Sequence, residues 1–114
     1  MDAVQQLQQR REAILQQMLQ MRSMRSGAVS EQFQAVRHKS GPPIRRGPYY
    51  VLSRSHKGKT ISQRVPAYEV DQARSDVAAH KQFIELCKEF EQLTEQLGQL
   101  ERAAGIGLGK KRRS

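Results

Sequence analysis

The residues of this chain with the types to do chemistry are Gly58-Lys59-Thr60, the pair His80 and Cys87, and a crowd of cations between positions 37 and 64. Gly58-Lys59-Thr60 has the closing residues of a phosphate-binding loop. That loop needs a glycine five positions before Gly58, where Ser53 stands, and a following helix whose N–H groups face the phosphates. The residues after Thr60 alternate like a strand, so the triplet reads as a hairpin turn. His80 and Cys87 share one face of a predicted helix, but two turns separate them by ~10.5 Å, too far for two ligands of one zinc. They read as a partly buried imidazole and a core-facing thiol. His38 and His56 stand apart from both. Carboxylates that could converge for acid–base or two-metal work are missing from the basic segment, which holds only Glu31. No catalytic constellation, metal site or cofactor site is expected.

The cations are different in kind. Residues 22–64 carry ten Lys/Arg and one acid, so this segment alone accounts for the net charge of +9 of the whole chain. An ordinary solvated surface mixes both signs. The candidate binding residues are Arg37, Lys39, Arg45, Arg46, Arg54, Lys57, Lys59 and Arg64, with Tyr49 and Tyr50 among them. Basic side chains on a two-stranded ribbon fix it on phosphates, and a tyrosine can stack on an unpaired base. At least one tyrosine is expected to cover the sheet instead. A second cluster, Lys110, Lys111, Arg112 and Arg113, is of the nucleic-acid or nuclear-signal kind, with a solubilising terminus as the equal alternative.

Elements must hold these cations in place. Val4, Leu7, Ile14, Met18 and Met21 recur at heptad spacing with Arg11 interrupting, and Leu15 and Met24 widen the stripe. This predicts an amphipathic helix over 1–25, stopped at Ser26-Gly27. Its three methionines from Met18 to Met24 read as adaptable core. A longer helix is predicted over 67–101, after Pro66 and with Glu69, Asp71 and Asp76 near its positive end. Phe83, Leu86, Phe90, Leu93, Leu97 and Leu100 form one stripe of it, and Val70, Ala73, Val77, His80, Ile84 and Cys87 form a second. Between the helices the period becomes two. Tyr49–Arg54 and Lys59–Val65 predict a β-hairpin turning at Ser55–Gly58, and Gln32–Arg37 is a candidate third strand. Ser40–Pro48, with three prolines and two glycines, reads as a loop within the basic segment 28–66. Residues 102–114 read as a disordered basic tail.

The bulk composition bounds the rest. Apolar residues make up 37% of the chain and there is no Trp, so a large core is not expected. The single cysteine excludes an internal disulfide and suits a reducing compartment. No apolar run has the length of a membrane span, and residues 1–24 lack the apolar core of a signal peptide. A soluble cytoplasmic protein is expected.

Ser26-Gly27-Ala28-Val29-Ser30-Glu31-Gln32, then Arg46-Gly47-Pro48-Tyr49-Tyr50, Gly58-Lys59-Thr60 and Val65-Pro66, with Phe83 in the following helix, resembles a family of short uncharacterised bacterial proteins. Members of it are often encoded in or beside mobile elements, near transposases. The resemblance covers roughly residues 22–97. Many members carry cysteines shortly before Gly-Pro-Tyr. Here Val36–Arg46 has none, so no metal role carries over. The hairpin also looks like the small sheets that tyrosine recombinases place on DNA, a likeness of fold alone.

The fold expected is therefore α+β and mainly α: a helix, a β-hairpin or three-stranded sheet, and a long helix, the helices forming an antiparallel coiled-coil stalk open to homodimerisation. The function expected is non-enzymatic nucleic-acid binding, DNA ahead of RNA, as an accessory protein of a mobile genetic element. The alternative is a coiled-coil adaptor whose basic head docks on an acidic protein such as a transposase or recombinase. No membrane partner is expected.

Overall fold

The computed structural model of the protein describes residues 2–38 and 41–105. Helix α1 (Ala3–Gln20) leads into strands β1 (Ala28–His38), β2 (Gly41–His56) and β3 (Lys59–Val65), and then into a single 3-10 turn (Ala67–Glu69) and helix α2 (Val70–Ala103). The three strands form one antiparallel sheet in the order β1-β2-β3. Helix, three-stranded sheet and long helix are the predicted fold class. The described residues gather into two compact units, one of those up to 22 together with 82–105 and one of those from 23 to 81.

In the first unit α1 starts on a capping box. Asp2 accepts from the Gln5 backbone N–H at 2.8 Å, and the Gln5 side chain accepts from the Asp2 N–H. Two donors that an α-helix start leaves unpaired are thereby satisfied. Ile14 is fully buried, and Val4, Leu7, Met18 and Met21 are half-buried, as the heptad stripe predicts. Arg10 runs two bonds to Glu89, at 2.7 and 2.8 Å, and the Arg11 guanidinium lies over the Phe90 ring at 4.9 Å. Ala3 and Leu7 share a groove with Gln96 and Leu100, so α1 runs antiparallel to this half of α2. Leu86 and Leu97 are buried on the α2 side. Leu15, Leu19, Ile84 and Leu100 remain exposed, which makes the apolar stripes narrower than predicted.

The helix stops at Gln20 and not at Ser26-Gly27. Met21 is already extended, and the segment after it is tied to α2. The Arg25 backbone N–H donates to the Asp76 carbonyl at 3.0 Å, and its guanidinium lies 3.5 Å from the Asp76 carboxylate. Asp76 is buried, and hydrogen bonds from Ser23 and Gln72, with the Arg25 charge behind them, hold its carboxyl below the usual range. Three partners satisfying one buried carboxylate outweigh the further helical turn that Arg22–Arg25 would otherwise form.

The sheet belongs to the second unit. β2 and β3 are joined by the two-residue turn Lys57-Gly58, with positive φ at both positions (51° and 79°). Such a turn carries the twist that antiparallel strands need, and it lets β2 run on to His56, past the predicted end at Arg54. At its other end β2 begins at Gly41, so the predicted loop Ser40–Pro48 is mostly strand. The prolines are tolerated because β3 pairs with β2 only from Tyr50 onward. Pro42, Pro43 and Pro48 lie where one edge of β2 has no neighbour. Opposite Phe33 the register slips, Gln32 pairing Tyr49 and Gln34 pairing Arg46, so Gly47-Pro48 forms a bulge. Gly47 sits there at φ 135°, and a Cβ on it would lie 2.9 Å from the Gln32 carbonyl oxygen.

One face of the sheet carries Val29, Tyr50, Leu52 and Val65, brought level by the pairs Val29↔Leu52 and Tyr50↔Val65. The first turns of α2 lay Val70, Ala73 and Val77 on that face, and these with Leu52 and Val65 form the core. The core leaves the opposite face of the sheet uncovered by α2. Helix α2 ends at Ala103 with Arg102 in its last turn, so the predicted tail starts later than residue 102; residues 106–114 lie outside the described residues.

Candidate nucleic-acid interface

A strand alternates its side chains between two faces, so the neighbours Tyr49 and Tyr50 part company. Tyr50 faces α2, packs on the core and has the Arg74 guanidinium 5.6 Å from its ring centre. It is the tyrosine that covers the sheet. Tyr49 points to the opposite face. There the Arg64 guanidinium lies 4.3 Å from its ring centroid, across the β2–β3 ladder and one step off the Val51↔Arg64 pair. A cation over a phenol ring at that distance is attracted by the ring quadrupole.

Arg46 joins this face through the bulge. In an unbroken strand residues 46 and 49 would point opposite ways. Here Arg46 pairs with Gln34 and Tyr49 with Gln32, and these two glutamines stand two apart on β1 and share a face. The outer face thus gathers Arg46, Tyr49 and Arg64 with Ser30, Gln32 and Gln34. The neighbouring hydroxyls of Ser53 and Ser62 lie 3.1 Å apart across the same ladder. Beside Tyr49 opens a shallow groove of about 270 Å³ lined by Pro48, Tyr49, Tyr50, Arg64, Val65, Pro66 and Ala67.

The remaining predicted residues are distributed over the three strands and the turn between β2 and β3. Arg37, near the end of β1, and Arg46 are exposed on the two-stranded arm that β1 and β2 form beyond β3. Arg45 pairs through its backbone with Ala35 in the same arm. Arg54, paired with Ile61, and Lys59, paired with His56, lie on the α2 face by register but are exposed, and Lys57 is in the turn. The cations are thus divided among the three strands and the turn, and between the two faces of the sheet, with Arg54, Lys57, Lys59 and Arg64 on the predicted hairpin itself. Lys39, Lys110, Lys111, Arg112 and Arg113 lie outside the described residues.

Among the described residues the ion pairs are Arg10–Glu89, Arg25–Asp76 and Glu85–Lys88, all on or against the helices. None involves Arg37, Arg46, Arg54, Lys57, Lys59 or Arg64. Glu31, the one acid on the sheet, pairs across the ladder with Tyr50, on the α2 side by register. The outer face is therefore positive without a compensating carboxylate. Unpaired cations on an open sheet face can hold phosphates, and a tyrosine set among them can stack. The grouping of Arg46 with Tyr49, and the roles of Pro48 and Pro66 as groove walls, were not foreseen. The Gly-Pro pair ahead of Tyr49 is the one signal that could have marked the bulge.

His80 and Cys87 are each half-buried on α2, and among the described residues no three His, Cys, Asp or Glu side chains cluster to hold a metal ion. Among the same residues no helix is long and apolar enough to cross a membrane. Comparison with curated proteins and with solved structures gives no match. A family model does match, over residues 4–75, which span α1, the whole sheet and the first turns of α2. The protein belongs to the family defined by this domain of unknown function, DUF6788.

Proposed function

We propose that this protein is a non-enzymatic nucleic-acid-binding accessory protein of a mobile genetic element, acting in the cytoplasm and holding phosphates on the cations of its sheet. The observation that carries the reading is the unpaired state of those cations. Arg37, Arg46, Arg54, Lys57 and Lys59 are exposed and free of ion pairs among the described residues, while the acids other than Glu31 lie on or beside the helices. Cations left unneutralised can replace the counterions condensed on a polyanion, and the release of those counterions drives association. The mobile-element setting rests on the resemblance of the Gly-Pro-Tyr-Tyr, Gly-Lys-Thr and Val-Pro segments to bacterial proteins encoded near transposases.

The test is binding of labelled single- and double-stranded DNA and RNA oligomers at low salt, read by fluorescence polarisation. Micromolar or tighter binding is expected. No binding to any of them would overturn the proposal and leave a protein adaptor, whose basic sheet docks on an acidic partner that nucleic acid does not displace.

A further inference from the structure

We infer that the sheet prefers an unpaired strand to a duplex, one base extending the stack that Arg64 and Tyr49 already form. This rests on the nucleic-acid reading above and sharpens it. Phosphates alone do not separate the two forms, since cations neutralise either. The difference lies in the base faces, which neighbouring base pairs cover in a duplex and which a single strand can splay onto an aromatic or guanidinium plane.

Four observations converge on Tyr49. Its ring is on the face of the sheet that α2 does not cover, and the core is complete without it. Arg64 is held against the ring at 4.3 Å, and its planar guanidinium stacks on bases as well as on phenols, with donors left over for a phosphate. The groove beside the ring is open and walled by Pro48 and Pro66, whose fixed φ leaves little freedom to lose when a ligand enters. Arg46 shares the face through the bulge, so a phosphate next to the stacked base has a cation in reach. Tyr50, one residue on, has none of this freedom, because it packs against Leu52, Val65 and α2.

The full chain is titrated against a 12-mer oligothymidine, an oligouridine of the same length, a 12-base-pair duplex, and an abasic 12-mer that keeps every phosphate and lacks the bases. The wild type should bind oligothymidine or oligouridine about tenfold more tightly than the abasic strand or the duplex. The tighter of the two homopolymers is then used with the variants. Tyr49→Ala should weaken that homopolymer roughly five- to hundredfold and leave the abasic strand within about twofold, whereas Tyr49→Phe should keep the affinity. Thermal melting of both variants checks that the sheet remains folded. The abasic comparison needs no variant and stands if Tyr49→Ala unfolds. Equal binding of abasic and base-bearing strands, a duplex bound more tightly than either homopolymer, or a folded Tyr49→Ala protein with wild-type affinity would overturn this inference while leaving general polyanion binding intact. Failure to bind any of the four would overturn the broader reading instead.

Discussion

Arg64 and Tyr49 meet across the β2–β3 ladder, guanidinium to ring centroid 4.3 Å, on the face of the sheet that α2 leaves open. The contact pre-sets both groups, so Arg64 is not equivalent to the other cations. Lysine keeps the charge but loses the planar stack. Arg64→Lys should weaken oligothymidine binding about two- to fivefold, the scale of an exposed cation–π contact. Lys59→Arg, in the same strand but away from a ring, should change it by less than about twofold. Polarisation titrations of the two variants side by side check this.

The core that holds the sheet to α2 depends on Leu52, which is 5% exposed between Val65 and the helix. Leu52→Ala should cost about 2–5 kcal/mol in urea unfolding, the usual loss for a buried leucine with its cavity. Leu19, 73% exposed on α1, should tolerate the same change within about 0.5 kcal/mol.

Gly47 makes the bulge possible. At φ 135°, an added Cβ would lie 2.9 Å from the Gln32 carbonyl and 3.1 Å from the Phe33 ring. Gly47→Ala should destabilise by more than about 1 kcal/mol. Gly41, in the same strand with open space around it, should accept alanine at little or no cost. Denaturant midpoints of the two variants separate a bulge requirement from general intolerance of the strand.

Asp76 and Glu89 should shape the acid limb of stability. Hydrogen bonds from Ser23 and Gln72 and the charge of Arg25 lower the Asp76 pKa, and Arg10 lowers that of Glu89. A carboxylate depressed in the folded state stabilises above its unfolded pKa, and that stability is lost as pH falls through the folded value. Melting temperature should therefore fall as pH drops below the ordinary carboxylate values of 3.8 and 4.5. In Asp76→Asn the slope over that window should flatten; an unchanged slope would mean the Ser23–Arg25 segment does not depend on this charge.

Much of the fold was legible because it rests on periodicity. The heptad positions from Val4 to Met21 and the Leu86–Leu97 stripe mark the buried sides of the helices, and alternation from Tyr50 to Val65 marks the hairpin. What was not legible depended on partners distant in sequence. The end of α1 at Gln20 follows from Asp76, and nothing near Met21 announces that contact. The segment Gly41–Pro48 carries loop residues but lies on an unpaired edge, where proline does no harm. At the candidate site the cations stood out by their charge imbalance. Their arrangement did not, because the shared face of Arg46 and Tyr49 exists only through the bulge between them.

If the sheet cations neutralise phosphates, oligothymidine binding must weaken steeply with salt. Each contact on a single strand contributes about −0.7 to the slope of log K against log salt, so four to six contacts predict roughly −3 to −4. Replacing Arg46 or Lys59 with alanine should lower that magnitude by about 0.7 each while thermal melting stays unchanged. A slope near zero, or one that both substitutions leave intact in the folded protein, would contradict the account.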